Sequence, residues 1–136
     1  MISRDYISKA AIITKDKSVS YHELFIRIEQ YALLFRDKHY QKVAIYSENR
    51  IEWIYAFYAG LQNGCIVVPV DFMASTEDVA FTINDCKPEL IFSSQGQKEE
   101  LERIKPNLSY TPKLLFFEEV DLPQVKDNFV SDISIN

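Results

Sequence analysis

The sequence predicts a three-layer α/β domain: a mostly parallel sheet flanked by helices, preceded by a β-hairpin and a helix. Three observations carry this. Short apolar runs rich in β-branched and aromatic residues recur along the chain, as VAIY, CIVVPV, LIF and KLLFF. Stretches of helical periodicity lie between them, several opened by a capping residue. Strands that alternate with helices pair in parallel through right-handed crossovers. At 136 residues and 47% apolar, the chain is one domain's worth and can bury a core.

The elements follow in order. Ala10 to Thr14 and Ser18 to Ser20 read as two short strands, with Lys15, Asp16 and Lys17 as their turn. Ser20 and Glu23 have the spacing of a capping box, so a helix opens at Ser20. Its apolar stripe is Leu24, Ile28, Tyr31, Ala32 and Phe35, and its end is expected near Asp37 to His39. Val43 to Tyr46 is a strand. Asn49 and Glu52 repeat the capping logic before a helix over about Arg50 to Asn63. That helix is apolar on nearly every side, so it is covered on more than one face. Its Ala56, Ala59 and Gly60 allow close approach to a sheet, and Gly64 suits the left-handed residue after a helix end. Cys65 to Val70 is continuous and β-branched, as in a strand buried on both faces. Pro69 cannot donate to a ladder, which puts that strand near an edge or makes it end there. Ser75 caps a third helix with Glu77 and Asp78 in its first turn and Val79, Ile83 and Cys86 inward; Pro88 blocks its continuation. Leu90 to Phe92 is a strand, Gln97 to Ile104 a short polar helix, and Lys113 to Phe117 a fourth strand. Beyond Glu119 no period is visible. Residues 1–119 therefore form one unit and 120–136 an extended segment or linker. The pattern suits a flavodoxin-like half-domain.

Composition excludes several classes of function. Charged residues make up 26% of the chain and the net charge is -5, so there is no basic footprint for nucleic acid. No apolar run is long enough to span a bilayer. The opening MISRDYISKAA lacks the apolar middle of a signal peptide, which predicts a cytoplasmic protein. Three glycines, Gly60, Gly64 and Gly96, cannot make a dinucleotide fingerprint or a phosphate loop. His22 and His39 have no Cys or His partner at ligand spacing and read as surface residues. Cys65 and Cys86 read as buried apolar thiols. Glu99, Glu100 and Glu102 read as a solvated helix face. Three loops lie where open α/β sheets bind ligands, beyond the carboxyl ends of strands. They are Ser47-Glu48-Asn49, Asp71 to Ser75, and Ser93-Ser94-Gln95-Gly96.

Four segments in order carry a family resemblance: SVSYHEL, VAIYSENRIEWIYAFYAGLQNG, CIVVPVD and MASTEDVAFTINDCKPELIFSS. Together they resemble the amino-terminal subdomain of the adenylate-forming (AMP-binding) enzymes: acyl-CoA synthetases, luciferases and peptide-synthetase adenylation domains. The long-chain fatty acid–CoA ligases are the most similar. The resemblance implies a parent enzyme that joins an acid to ATP as an acyl-adenylate and passes the acyl group to coenzyme A. It implies ATP, Mg2+, coenzyme A and a carboxylic acid as the parent's ligands, and the remaining subdomains of the same chain as partners. None of these ligands is expected to bind tightly to this stretch. The chain stops at Asn136, about where the family continues into its Thr/Ser/Gly-rich phosphate loop. The expectation is therefore a piece of the enzyme without that loop, without the catalytic Lys, and inactive alone. In synthetase-like members the loop before the third helix and a basic residue after the next strand lie by the nucleotide of coenzyme A. Here those positions are Met73, Ala74 and Ser75, with Lys98. The family's loop is Gly-rich and its basic residue is Arg, so an ordinary loop and surface Lys is the simpler reading. A piece cut from its parent exposes an apolar face, which predicts weak self-association. Two further functions fit the same residues: an adenylation unit loading an amino or aryl acid onto a carrier protein, and a freestanding flavodoxin-like binding module.

Overall fold

A computed structural model describes residues 10–13 and 18–125. Its elements are β1 (Ala10–Ile13), β2 (Ser18–Ser20), α1 (Tyr21–Leu33), β3 (Lys42–Tyr46), α2 (Ile51–Gln62), β4 (Ile66–Pro69), α3 (Thr76–Cys86), β5 (Leu90–Ser93), α4 (Lys98–Ile104) and β6 (Lys113–Phe116). β1 and β2 pair antiparallel, and the expected turn at Lys15 to Lys17 lies outside the described residues. The other four strands form one parallel sheet in the order β4-β3-β5-β6.

Alternation along these strands builds two cores. Val43, Ile45, Leu90, Phe92 and Phe117 face α1 and α2, where Tyr31, Phe35, Tyr55 and Ala59 meet them. Ala44, Tyr46 and Ile91 face α3 and α4, meeting Val79, Ile83, Leu101 and Ile104. The first core is aromatic at its centre. Phe92 and Phe117 stack at 5.9 Å, and Tyr31 stands at 5.9 Å from Phe92. Gly60 is where α2 presses hardest on the sheet: a Cβ there would sit 2.6 Å from Val67 Cγ2. Gly64 ends that helix with φ +76°, a conformation other residues rarely adopt.

Local signals were reliable where the partner is local. Ser20 Oγ accepts from the Glu23 N–H at 3.1 Å, and Ser75 Oγ from the Asp78 N–H at 3.1 Å. His22 and His39 are both exposed.

Five details differ from expectation. α1 ends at Leu33, short of Asp37, because Phe35 leaves the helical conformation (φ -141°) and drops its ring into the core. Asn49 does not cap α2. Arg50 is the residue at the cap position, with no side-chain cap bond, and it draws Glu52 into a two-pronged pair at 2.9 and 3.1 Å. β4 is an edge strand, as Pro69 implies, so it is not buried on both faces; Ile66 is 60% exposed. Cys86 is only half-buried, and Ala80 fills the inward position instead. The polar helix divides into a 3-10 turn (Gln95–Gln97) and α4.

After β6 the chain has no regular structure over residues 120–125. It is nevertheless fastened: Val120 and Leu122 pack on the first core, and Gln30 Nε2 donates to the Pro123 carbonyl at 3.0 Å.

Candidate functional site at the carboxyl end of the sheet

The chain leaves β3 toward α2 on one face and leaves β5 toward α4 on the other. β3 and β5 are neighbours, so their carboxyl ends bound the crevice where open α/β sheets bind ligands. Ser47, Ser93 and Ser94 are all buried there. Ser93 Oγ donates to the Tyr46 carbonyl at 2.5 Å, and Ser94 Oγ donates to Glu48 Oε1 at 2.5 Å. Glu48 thus reaches across from the β3 loop to the β5 loop and closes the crevice from within.

A second tie crosses beside it. Arg50 Nη1 donates to Glu118 Oε2 at 2.8 Å, and the Gln95 N–H donates to Glu118 Oε1 at 3.1 Å. The guanidinium also lies 5.4 Å from the centre of the Phe117 ring. Partial burial alone would raise the Glu118 pKa. The bonds from Arg50 and the Gln95 N–H outweigh it and hold the carboxyl below its usual range. Arg50 is held charged, first by its bonds to Glu52, against the opposing effect of burial, and then by Glu118. Beside this tie, Asn49, Arg50, Ile51, Trp53 and Ile54 line a shallow cleft of about 310 Å³.

The residues singled out for coenzyme A lie at the same end of the sheet. Met73 is exposed, Ala74 half-buried, and the Ser75 hydroxyl is occupied in capping α3. Lys98 pairs with Glu119 at 3.7 Å and sits 5.2 Å from the centre of the Phe116 ring. The two segments approach each other through Thr76, whose hydroxyl donates to Glu100 Oε2 at 3.2 Å. Arg50 and Glu118 were not legible as a pair. The one signal for Glu118 is that, like Glu48, it stands two residues past the end of a parallel strand.

These donors do not fit a polyphosphate. Both cations are already matched by carboxylates, with Glu48, Glu52, Glu118 and Glu119 crowding one sheet end. Among the described residues no cluster of His, Cys, Asp or Glu is placed to hold a metal ion. Nor is any described helix long and apolar enough to cross a membrane.

The comparisons with known proteins agree with this fold. The family model described as AMP-binding enzyme matches residues 3–130. The chain belongs to that family. Among curated members, it is 25% identical to long chain acyl-CoA synthetase 8 of Arabidopsis thaliana over 98% of this chain and 21% of the synthetase. It is 24% identical to tyrocidine synthase 3 of Brevibacillus parabrevis over 85% of this chain and 2% of that protein. The chain therefore spans a minor part of these AMP-binding relatives. Among solved structures, the anthranilate CoA ligase AuaEII in complex with anthranoyl-AMP superposes with a TM-score of 0.77 at 16% identity, over 85% of this chain and 23% of the ligase.

Proposed function

We propose that this chain is the amino-terminal scaffold of an ATP-dependent, AMP-forming acyl-CoA synthetase working on a medium- to long-chain fatty acid in the cytoplasm. The observation that carries the reading is the AMP-binding match over residues 3–130, joined to a fold shared with a CoA ligase. In this reading the parent forms an acyl-adenylate with release of pyrophosphate and then transfers the acyl group to the coenzyme A thiol. ATP and Mg2+ are held by other segments of the parent, because Arg50 and Lys98, the cations at this end of the sheet, are matched by carboxylates. Residues 1–119 act as the scaffold subdomain and 120–136 lead toward the nucleotide-binding part. Met73, Ala74, Ser75 and Lys98 flank coenzyme A, supported by the exposure of Met73 and of the Lys98 side chain.

Pyrophosphate exchange on the full-length protein, read from its native frame past Asn136, tests this. Exchange with fatty acids, followed by acyl-CoA formation, is the expected result; the 136-residue chain by itself should give none. A native frame that stops at Asn136, or a longer protein silent with every acid, overturns the reading. In the full-length enzyme Lys98→Glu should raise the KM for coenzyme A severalfold and leave exchange, which needs no thiol, unchanged. A second reading, an adenylation unit serving a carrier protein, is favoured by the match to tyrocidine synthase 3 at nearly the same identity. Exchange confined to amino or aryl acids would select it.

A further inference from the structure

The two edges of the parallel sheet are not equivalent. Ile66 and Val70 donate their N–H groups toward β3, to the Gln41 and Ile45 carbonyls, so the backbone N positions of Val67 and Pro69 face outward. Pro69 has none, and the outer edge of β4 is blunted. At the other side, Lys113 and Phe117 donate to the Glu89 and Ser93 carbonyls. Alternation then points the N–H and C=O of Leu114, and the N–H of Phe116, away from the sheet. The Phe116 C=O is already taken by the Glu119 and Val120 N–H groups at 2.9 and 3.1 Å. Under this edge, on the α4 side, lies a cavity of about 210 Å³ whose wall is mostly apolar, Leu101, Leu108 and Leu114 among it, with Lys105 and Thr111 as its polar members.

We propose that the outer edge of β6 pairs antiparallel with β6 of a second copy of this chain, joining the two sheets into one about a twofold axis at Leu114. The edge is self-complementary in that register. Leu114 exchanges both backbone hydrogen bonds with its own copy. Phe116 then faces Pro112 of the second copy and donates its N–H to the Pro112 carbonyl. The return bond would need a Pro N–H that does not exist and a Phe116 carbonyl that is already engaged, so the pairing leaves no polar group stranded. Residues directly opposite in such a pair share one face. Leu114 of the second copy therefore comes beside Leu114 of the first, next to the mostly apolar cavity. In the same register Lys113 of each copy comes opposite Leu115 of the other, and no two like charges face each other across the strands. The inference rests on the fold alone and not on the ligase reading, so pyrophosphate exchange does not bear on it.

Sedimentation equilibrium of the 136-residue chain tests it. The weight-average mass should rise from the monomer toward twice that value between about 10 µM and about 1 mM, the range of weak association. Leu114→Pro removes one outward N–H and should remain monomeric, whereas Val67→Pro, on the outer edge of β4, should associate like the parent chain. Amide exchange gives a second readout that needs no variant. Leu114 and Phe116 should slow with concentration while Leu115 and Phe117, already bonded to β5, do not. A monomer throughout the range, growth beyond a dimer, or association retained in Leu114→Pro overturns the proposal. If Leu114→Pro fails to fold, the exchange pattern decides, and concentration-dependent protection elsewhere than at Leu114 and Phe116 overturns it.

Discussion

Tyr55 shows what a single atom can do to this fold. Its ring packs 5.7 Å from Tyr31 between α1 and α2, and the residue is 3% exposed. Its hydroxyl has no hydrogen-bond partner among the described residues. Burial, with Glu23 adding to it and Arg27 opposing, pushes the phenol up to about 12. A buried hydroxyl without a partner is a liability, so Tyr55→Phe should stabilise the protein by about 1 kcal/mol in urea unfolding. The folded pKa lies above the unfolded one. The neutral phenol's contribution is therefore complete below the unfolded pKa, about 10, and is lost as pH rises through the folded value. Tyr55→Phe should flatten that alkaline loss. Gly60 is a different case, limited by space. A Cβ 2.6 Å from Val67 Cγ2 has no room, so Gly60→Ala should cost about 1–3 kcal/mol. Adding Val67→Ala should recover part of that cost, and a double-mutant cycle would measure the coupling. The small residues of α2 were legible in the sequence because close approach needs small side chains. The orphaned Tyr55 hydroxyl was not, because it depends on which groups α1 brings opposite.

At the scale of elements, ends were decided by what lies nearby in sequence or in space. Ser75 caps α3 through a bond three residues away, and that spacing is visible without any structure. Ser75→Ala should lower stability by about 1 kcal/mol, seen as a lower thermal midpoint. The start of α2 has no such device. The residue at its cap position, Arg50, is drawn to Glu118, 68 residues away, and no local pattern announces that pair. The same reason explains the early end of α1, where Phe35 answers to Phe92 on a strand far along the chain. Strand and helix identities were readable because periodicity repeats over a whole segment. The exposure of β4 was misread because an apolar run looks the same at a sheet centre and at an edge.

For the whole molecule, the carboxyl end of the sheet couples acid stability to the candidate site. The Glu118 carboxyl is held below its unfolded value, so its contribution is complete above the unfolded pKa, about 4.3 for a free Glu side chain. It is lost as pH falls through the folded value. Denaturant midpoints of the parent chain and Glu118→Gln should therefore differ near neutral pH and converge as the pH falls below the ordinary carboxylate range. A gap that stays constant with pH would mean Glu118 acts through packing and not through its charge. That ligands would meet the carboxyl ends of the strands could be read from the sequence, which named three loops there; that β3 and β5 are the neighbours bounding the crevice came only with the strand order β4-β3-β5-β6. Its occupancy by Glu48 and Ser94, and the matching of its cations, depend on side-chain reach and were not visible there.

The fastening of the chain's far end has a consequence for how the molecule comes into being. Hydrogen bonds that tie the fold together span increasing lengths: 25 residues from Tyr40 to Cys65, 47 from Tyr46 to Ser93, and 93 from Gln30 to Pro123. Loop closure becomes costlier with each step, though only slowly. On a ribosome adding residues at about 5–20 per second, the early helices emerge seconds before Phe117, Val120 and Leu122 can cover them. The nascent chain thus passes through an interval in which Tyr31, Phe35 and Phe92 have no lid of their own, and a chaperone that shields aromatic surface would find its client then.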